Sequence, residues 1–335
     1  MDDSASAATR VVDTIEGDAT EDARSALAAL ETAPDDVRTD ALRELRGLAD
    51  EDPSRFEGLA TALAPFLTDG ERSIRLTTAK LFVAVADAEP TAVVPIVEAL
   101  AGRLADDEEF YFVRARSAEA LGLVALERPD EVGSPEILAD LRIGLAFDES
   151  EVREKLAKAL ECVALGNPDR LRHQVTRLAE HLDNDGELVR YHLCTALVAV
   201  GASHPGKLAD VTEPLVDRLA DSSPYVRGRA AEALGQLGRS ESDAAIPRFD
   251  LDDLADDDEE FVADRAAFAL AATADDTAEG FDEFDSTGSL DSIRASTEPA
   301  VEAMTTPDAD GECPHCGLEL PEQGPPMCPR CGAPR

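Results

Sequence analysis

The sequence predicts an all-α protein, an α-solenoid of about seven helical hairpins, with a small four-cysteine metal site at its C-terminal end. Three observations lead there. A Val-Arg or Ile-Arg dipeptide returns every 36 to 39 residues, at Val37-Arg38, Ile74-Arg75, Val113-Arg114, Val152-Arg153, Val189-Arg190 and Val226-Arg227, with a degenerate copy at Val262-Ala263. A fixed period of this size means stacked helical units rather than one globular core. Aromatic residues make up only 4% of the 335 residues and Trp is absent, which suits helices packed at close range. Finally, two CxxC pairs lie at the end of the chain.

The segment before residue 20 lacks the repeat pattern and is expected to cap the N-terminal end, as residues 260–275 cap the other. In each repeat the position eight after the Val is Leu45, Phe82, Leu121, Leu160, Leu197, Leu234 or Leu270. The position five after it is small in six copies: Ala79, Ala118, Ala157, Cys194, Ala231 and Ala267. At about 100° per residue these positions share one face. Acidic turns such as Asp69-Gly70 and Asp183-Asn184-Asp185 precede most copies and are expected to cap the helices. A second helix set lies between, with Leu171, Val175, Leu178 and Leu182 in helical register and Pro53, Pro90, Pro168 and Pro205 near the starts. Cys162 and Cys194 fall in apolar stretches and read as core residues.

A helix ending in an acidic turn, followed by Val-Arg-x-x-x-Ala-x-x-x-Leu, resembles the HEAT repeat. Residues Val226, Arg227, Ala231 and Leu234 carry that resemblance most closely, and it extends over roughly residues 20 to 273. It implies a right-handed solenoid, domain bounds of 1–275, and Val-Arg helices lining an inner, concave side. It is specific for fold and weak for function, because such arrays include scaffolds, chromosome-associated proteins and phycobilisome-lyase-like enzymes. The last copy departs from the pattern at Ala263.

Two surfaces stand out. The Arg of each Val-Arg pair reads as a ladder to the acidic turns of adjacent repeats. The position three after the Val is Arg116, Lys155, His192, Arg229 and Arg265 in five consecutive repeats. It lies roughly 110° from the centre of the apolar face, so it is expected to be at least partly exposed. This basic stripe is the candidate partner-binding surface, suited to an acidic peptide, a phosphate or nucleic-acid backbone; local salt bridging is the competing reading. A secondary surface groups Arg170, His173, Arg177 and His181. Paired His can bind metal, but with no carboxylate or Cys completing the set, a solvated face is the better reading.

Residues 276–311 are expected to be an acidic disordered linker. The wider stretch 249–312 holds 21 acidic residues and two Arg. Residues near Leu290 to Met304 have the pattern of a short helix, against which Pro299 argues. The segment could act as a tether, or occupy the basic stripe in cis.

Residues 312–335 form the metal module. Cys313-Pro-His-Cys316-Gly and Cys328-Pro-Arg-Cys331-Gly offer four thiolates for one structural Zn²⁺. So small a unit would depend on the metal for folding. It resembles the miniature zinc ribbons of prokaryotic proteins, with rubredoxin-like iron or a disulfide pair as alternatives. Four Cys ligands leave no open position for catalysis.

The formal charge is −40 and Lys is limited to Lys80, Lys155, Lys158 and Lys207. This acidic, Lys-poor composition is of halophilic, haloarchaeal type. In molar salt the Debye length is only about 3 Å, so acidity alone does not exclude nucleic acid. With no secretion signal, no membrane-spanning run and reduced CxxC motifs, the expectation is a cytoplasmic protein with no membrane partner. No phosphate loop, GxSxG or HExxH motif is present. The expected function is a non-enzymatic scaffold for protein partners. The alternatives are a nucleic-acid-associated protein, and a lyase-like enzyme or signalling or motility adaptor.

Overall fold

The computed structural model describes residues 9–15, 17, 20–240, 246–274 and 287–306, and among these it contains helices and turns but no strand. Nine described helices exceed ten residues: α1 (Thr20–Leu30), α2 (Asp35–Glu51), α3 (Arg72–Ala88), α4 (Tyr111–Glu127), α5 (Ser150–Gly166), α6 (Glu187–Ser203), α7 (Pro224–Gly238), α8 (Glu260–Ala272) and α9 (Leu290–Thr305). The Val-Arg dipeptides fall in the first turns of α2 to α7, as the period predicts.

Helices α2 to α6 are each 17 residues long. One local rule ends all five. The next residue but one is Pro53, Pro90, Pro129, Pro168 or Pro205, and a residue before proline is driven out of the helical region. Accordingly Asp52 has φ −146° and ψ 79°, Asn167 φ −155° and ψ 101°, and His204 φ −136° and ψ 62°.

The intervening set differs from expectation. Leu171, Val175, Leu178 and Leu182 are buried as predicted, but the backbone is broken into short 3-10 and α pieces such as Pro168–Arg170 and Val175–Ala179. Pro65, Pro95 and Pro214 interrupt three other segments of this set. A proline removes an N–H from the α ladder, and tighter i→i+3 turns absorb the loss.

Successive Val-Arg helices stack directly. Leu45, Leu121, Leu160, Leu197 and Leu234 are buried between them together with Ala79, Ala118, Ala157, Cys194 and Ala231, while Ala267 is half-buried. Cys162 and Cys194 are buried free thiols in this core, pushed up to about 12 by burial. The closest approach is at Gly166, where a Cβ would lie 2.0 Å from the Ala125 main-chain oxygen. Only glycine lets α5 lie so near α4.

The acidic turns do not cap the helices. No side-chain cap bond is made at the starts of α3 to α8. Instead the turn carboxylates fold back on their own backbone, as in Glu71 N–H to Asp69 Oδ1 at 2.8 Å and Ser223 N–H to Asp221 Oδ1 at 3.0 Å. Their remaining capacity accepts the arginine of the preceding repeat. Arg38 meets Asp69 at 2.8 Å, Arg75 meets Glu109 at 2.8 Å, Arg190 meets Asp221 at 2.8 Å and Arg227 meets Asp257 at 2.9 Å. The ladder lapses in the middle. Arg114 stacks over the Phe147 ring, 4.7 Å from its centre, and Arg153 donates to the Phe147 and Asp148 main-chain oxygens of its own turn.

The largest departure from expectation is α9. Residues 290–305 of the expected disordered linker form a helix docked on the solenoid, with Ile293, Ala300 and Met304 buried. The apolar side supplies enough burial to hold a helix that contains Pro299. Asp291, Glu298 and Glu302 remain exposed on its outer side.

Candidate functional site

The five stripe residues share one face of the Val-Arg row, but that face is neither open nor free in charge. His192, Arg229 and Arg265 are buried, while Arg116 and Lys155 are half-buried. This corrects the expectation of partial exposure. Position three after the Val points toward the neighbouring repeat, and each cation there is paired with a carboxylate on the same face.

Helix α4 supplies Glu119, six residues after its Val. Arg116 Nη1 donates to Glu119 at 2.7 Å, and Lys155 and Lys158 of α5 lie 3.4 and 3.5 Å from the same carboxylate. Burial alone would raise the Glu119 carboxyl; Lys155, Lys158 and Arg116 outweigh it and push the group down to about 2. One repeat on, His192 Nδ1 is 2.8 Å from Glu161 Oε2, with both side chains almost fully enclosed. At the C-terminal end Glu232 takes the place of Glu119. It accepts from Arg229 at 2.7 Å and from Arg265 at 3.1 Å. The Arg265 guanidinium lies 3.5 Å from the centre of the Phe261 ring.

Arg229 is fully enclosed and remains charged, because Tyr191 and Glu232 offset the cost of its burial. Its Nη2 lies 3.1 Å from the Ile293 main-chain oxygen, 3.1 Å from Ser296 Oγ and 3.1 Å from Thr297 Oγ1, all on α9, and 3.2 Å from the Tyr191 hydroxyl. Gln236 Nε2 donates to the Gly288 main-chain oxygen at 2.6 Å, and Arg294 Nε returns a bond to the Leu165 main-chain oxygen at 3.0 Å. The helix thus meets the stripe through main-chain oxygens, hydroxyls and apolar side chains, and its acidic residues take no part.

The N-terminal part of the same face holds a cavity of about 370 Å³ between α2, α3, α4 and α5. Arg46, Lys80, Arg116 and Lys158 line it. Lys80 and Lys158 occupy equivalent places, six residues after Ile74 and Val152. They escaped the sequence reading, as did the acidic partners Glu119, Glu161 and Glu232. For Lys80, Lys158, Glu119 and Glu232 the signal was present, because positions three and six after the Val lie on one helical face; Glu161 stands nine after Val152.

The secondary surface does not converge. His173 and Arg177 are exposed, His181 is half-buried, and Arg170 binds Asp130 and approaches the Gly133 main-chain oxygen. Among the described residues no three His, Cys, Asp or Glu side chains are grouped to hold a metal. Cys313, Cys316, Cys328 and Cys331 lie outside the described residues. No described helix is long and apolar enough to cross a membrane.

A family model described as HEAT repeats matches residues 175–271. A search of curated proteins returned no match. Among solved structures, an engineered protein is similar over 85% of this chain and 74% of its own, with a TM-score of 0.63 and 23% identity. A designed armadillo repeat protein covers 63% of this chain and 98% of its own, with a TM-score of 0.55 and 20% identity. A computationally designed armadillo repeat protein for modular peptide recognition has a TM-score of 0.54 and 19% identity over 63% of this chain and 98% of its own. At these identities the likeness is one of fold. With the stacked Val-Arg helices, it makes the chain an all-α repeat protein of the armadillo/HEAT fold, whose residues 175–271 match the HEAT family.

Proposed function

We propose that this protein is a non-enzymatic scaffold that binds protein partners along the face of its Val-Arg helices. One observation carries the reading: that face already seats a 16-residue helix of its own chain, through three buried apolar side chains and the fully buried Arg229. A surface that binds α9 in cis has the chemistry to bind a helical or extended segment in trans. Armadillo-type architecture of the kind designed for modular peptide recognition supports the same reading. The stripe's cations are already matched by Glu119, Glu161 and Glu232, which weighs against a phosphate-tracking role.

The domain plan is a solenoid over residues 1–275, a connecting segment that includes α9, and a zinc module at 312–335. Cys313, Cys316, Cys328 and Cys331 supply the donor set that one tetrahedral structural Zn²⁺ takes. We place the protein in the cytoplasm, where such thiolates stay reduced.

The test is affinity capture of the tagged full chain from its own cell extract at native salt, with and without nuclease. A discrete protein set that survives nuclease supports the scaffold. Loss of partners with nuclease overturns it in favour of a nucleic-acid-associated role. Zinc content is measured in parallel: about one equivalent is expected, lost on Cys313→Ser with Cys328→Ser, and full retention refutes the assignment.

A further inference from the structure

We propose that the cavity between α2, α3, α4 and α5 is a carboxylate-binding pocket that takes an Asp or Glu side chain of a partner polypeptide. The inference rests on the scaffold reading and names what part of that face recognises.

The argument starts from the pairing rule of the face. Wherever a cation occupies position three or six after the Val in α4 to α8, a carboxylate stands against it: Glu119 for Arg116, Lys155 and Lys158, Glu161 for His192, and Glu232 for Arg229 and Arg265. Lys80 breaks the rule. It is half-buried on α3 in the place equivalent to Lys158, and among the described residues no carboxylate pairs with it. The preceding repeat carries Arg43 in the corresponding place, which faces Asp40 instead.

Other groups of the cavity sharpen the imbalance. Arg46 and Arg116 line the wall, and the Nε of each is buried without an acceptor. Asp50 is engaged by Arg46 at 3.2 Å, and Glu119 is engaged by three cations. Asp87 also lines the cavity, two turns along α3 from Lys80 and not paired with it. The Lys80 ammonium is held below its ordinary value, first by burial and then by Arg116 and Arg46, against a smaller opposing pull from Glu151, which Arg116 engages at 2.7 Å. A half-buried ammonium without a carboxylate of its own, beside two further guanidinium groups, is a place that an incoming oxyanion completes. A cavity of about 370 Å³ has room for one acidic side chain. Its cations elsewhere on this face select carboxylates, so the occupant is an acidic side chain. Among the described residues, helix α9 docks on α5, α6 and α7 and does not line this cavity.

The probe is a fluorescein-labelled hexaglutamate peptide titrated onto the full chain by anisotropy at fixed ionic strength, with hexaglutamine as control. Hexaglutamate is expected to bind and hexaglutamine is not. Lys80→Gln is expected to weaken binding about tenfold, while Lys207→Gln stays within about twofold. Val83 lines the same cavity one turn from Lys80, so Val83→Glu supplies the carboxylate in cis; it should block the peptide and raise the melting temperature. Equal binding by wild type and Lys80→Gln overturns the proposal, as does displacement of the peptide by equimolar inorganic phosphate, which would mark a phosphate site. A protein partner captured equally by wild type and Lys80→Gln leaves the scaffold standing and removes this pocket from it.

Discussion

The Arg229 guanidinium donates to the Ile293 main-chain oxygen at 3.1 Å, joining α7 to a helix 64 residues further along the chain. The same guanidinium holds the buried Glu232 carboxylate at 2.7 Å. One side chain therefore serves both the solenoid core and the docked helix. Arg229→Met should cost about 3–5 kcal/mol, because it leaves Glu232 buried beside a single remaining partner, Arg265. Denaturant unfolding of the full chain checks this. Arg229→Met with Glu232→Leu should recover only part of the loss, because it removes the stranded carboxylate but leaves Arg265 without its acid partner, while α9 is still released.

Docking of α9 also depends on its entry turn. Gly288 has φ +82°, and a Cβ there would lie 2.5 Å from Phe268 Cζ. Gly288→Ala should therefore weaken docking by about 1–3 kcal/mol. The expected readout is faster amide exchange across residues 290–305, with α2 to α4 unchanged.

Two glycines in helices make opposite predictions. Gly166 sits where a Cβ would strike the Ala125 main-chain oxygen, so Gly166→Ala should destabilise by several kcal/mol through forced separation of α4 and α5. Gly47 lies inside α2 with nothing within 4 Å of its Cβ position, and Gly47→Ala should stabilise by about 0.5–1 kcal/mol. Thermal melts of the two variants should move in opposite directions.

Acid should loosen the middle of the array first. Glu119 is pushed down to about 2 from its ordinary 4.5, so its folded-state value lies below the unfolded one. Such a group contributes its full stability above pH 4.5 and loses it as pH falls toward 2. Asp221 is shifted the same way: Arg190 and the Ser223 N–H outweigh the cost of burial. Melting temperature should drop through this window, and Glu119→Gln should flatten the drop while lowering stability at neutral pH.

The repeat, its helix faces and its inter-repeat arginine ladder were legible in the sequence because each is a local pattern renewed at every period. The pre-proline helix ends were legible too, since Asp52, Glu89, Arg128, Asn167 and His204 obey the same steric rule. The stripe was found but its setting was not. Helical geometry places Arg229 off the apolar centre of its own helix, and only the stacking of α6, α7 and α8 encloses it. Helix α9 was half legible. Its acidic composition argued for disorder, and the buried set of Ile293, Ala300 and Met304 becomes meaningful only beside Tyr191 and Arg229. Lys80 was missed because an unpaired cation is defined by what neighbouring repeats lack.

The described arginine ladder joins units adjacent in sequence, so those units can assemble in order as they leave the ribosome. The bond from Arg294 to Leu165 spans 129 residues and forms only after synthesis has passed the end of α9. Until then Tyr191 and Arg229 have no α9 over them. A nascent or prematurely ended chain is thus distinguishable from a finished one by a bare strip on α6 and α7. The same strip would be the earliest place for a chaperone, or a wrong partner, to take hold.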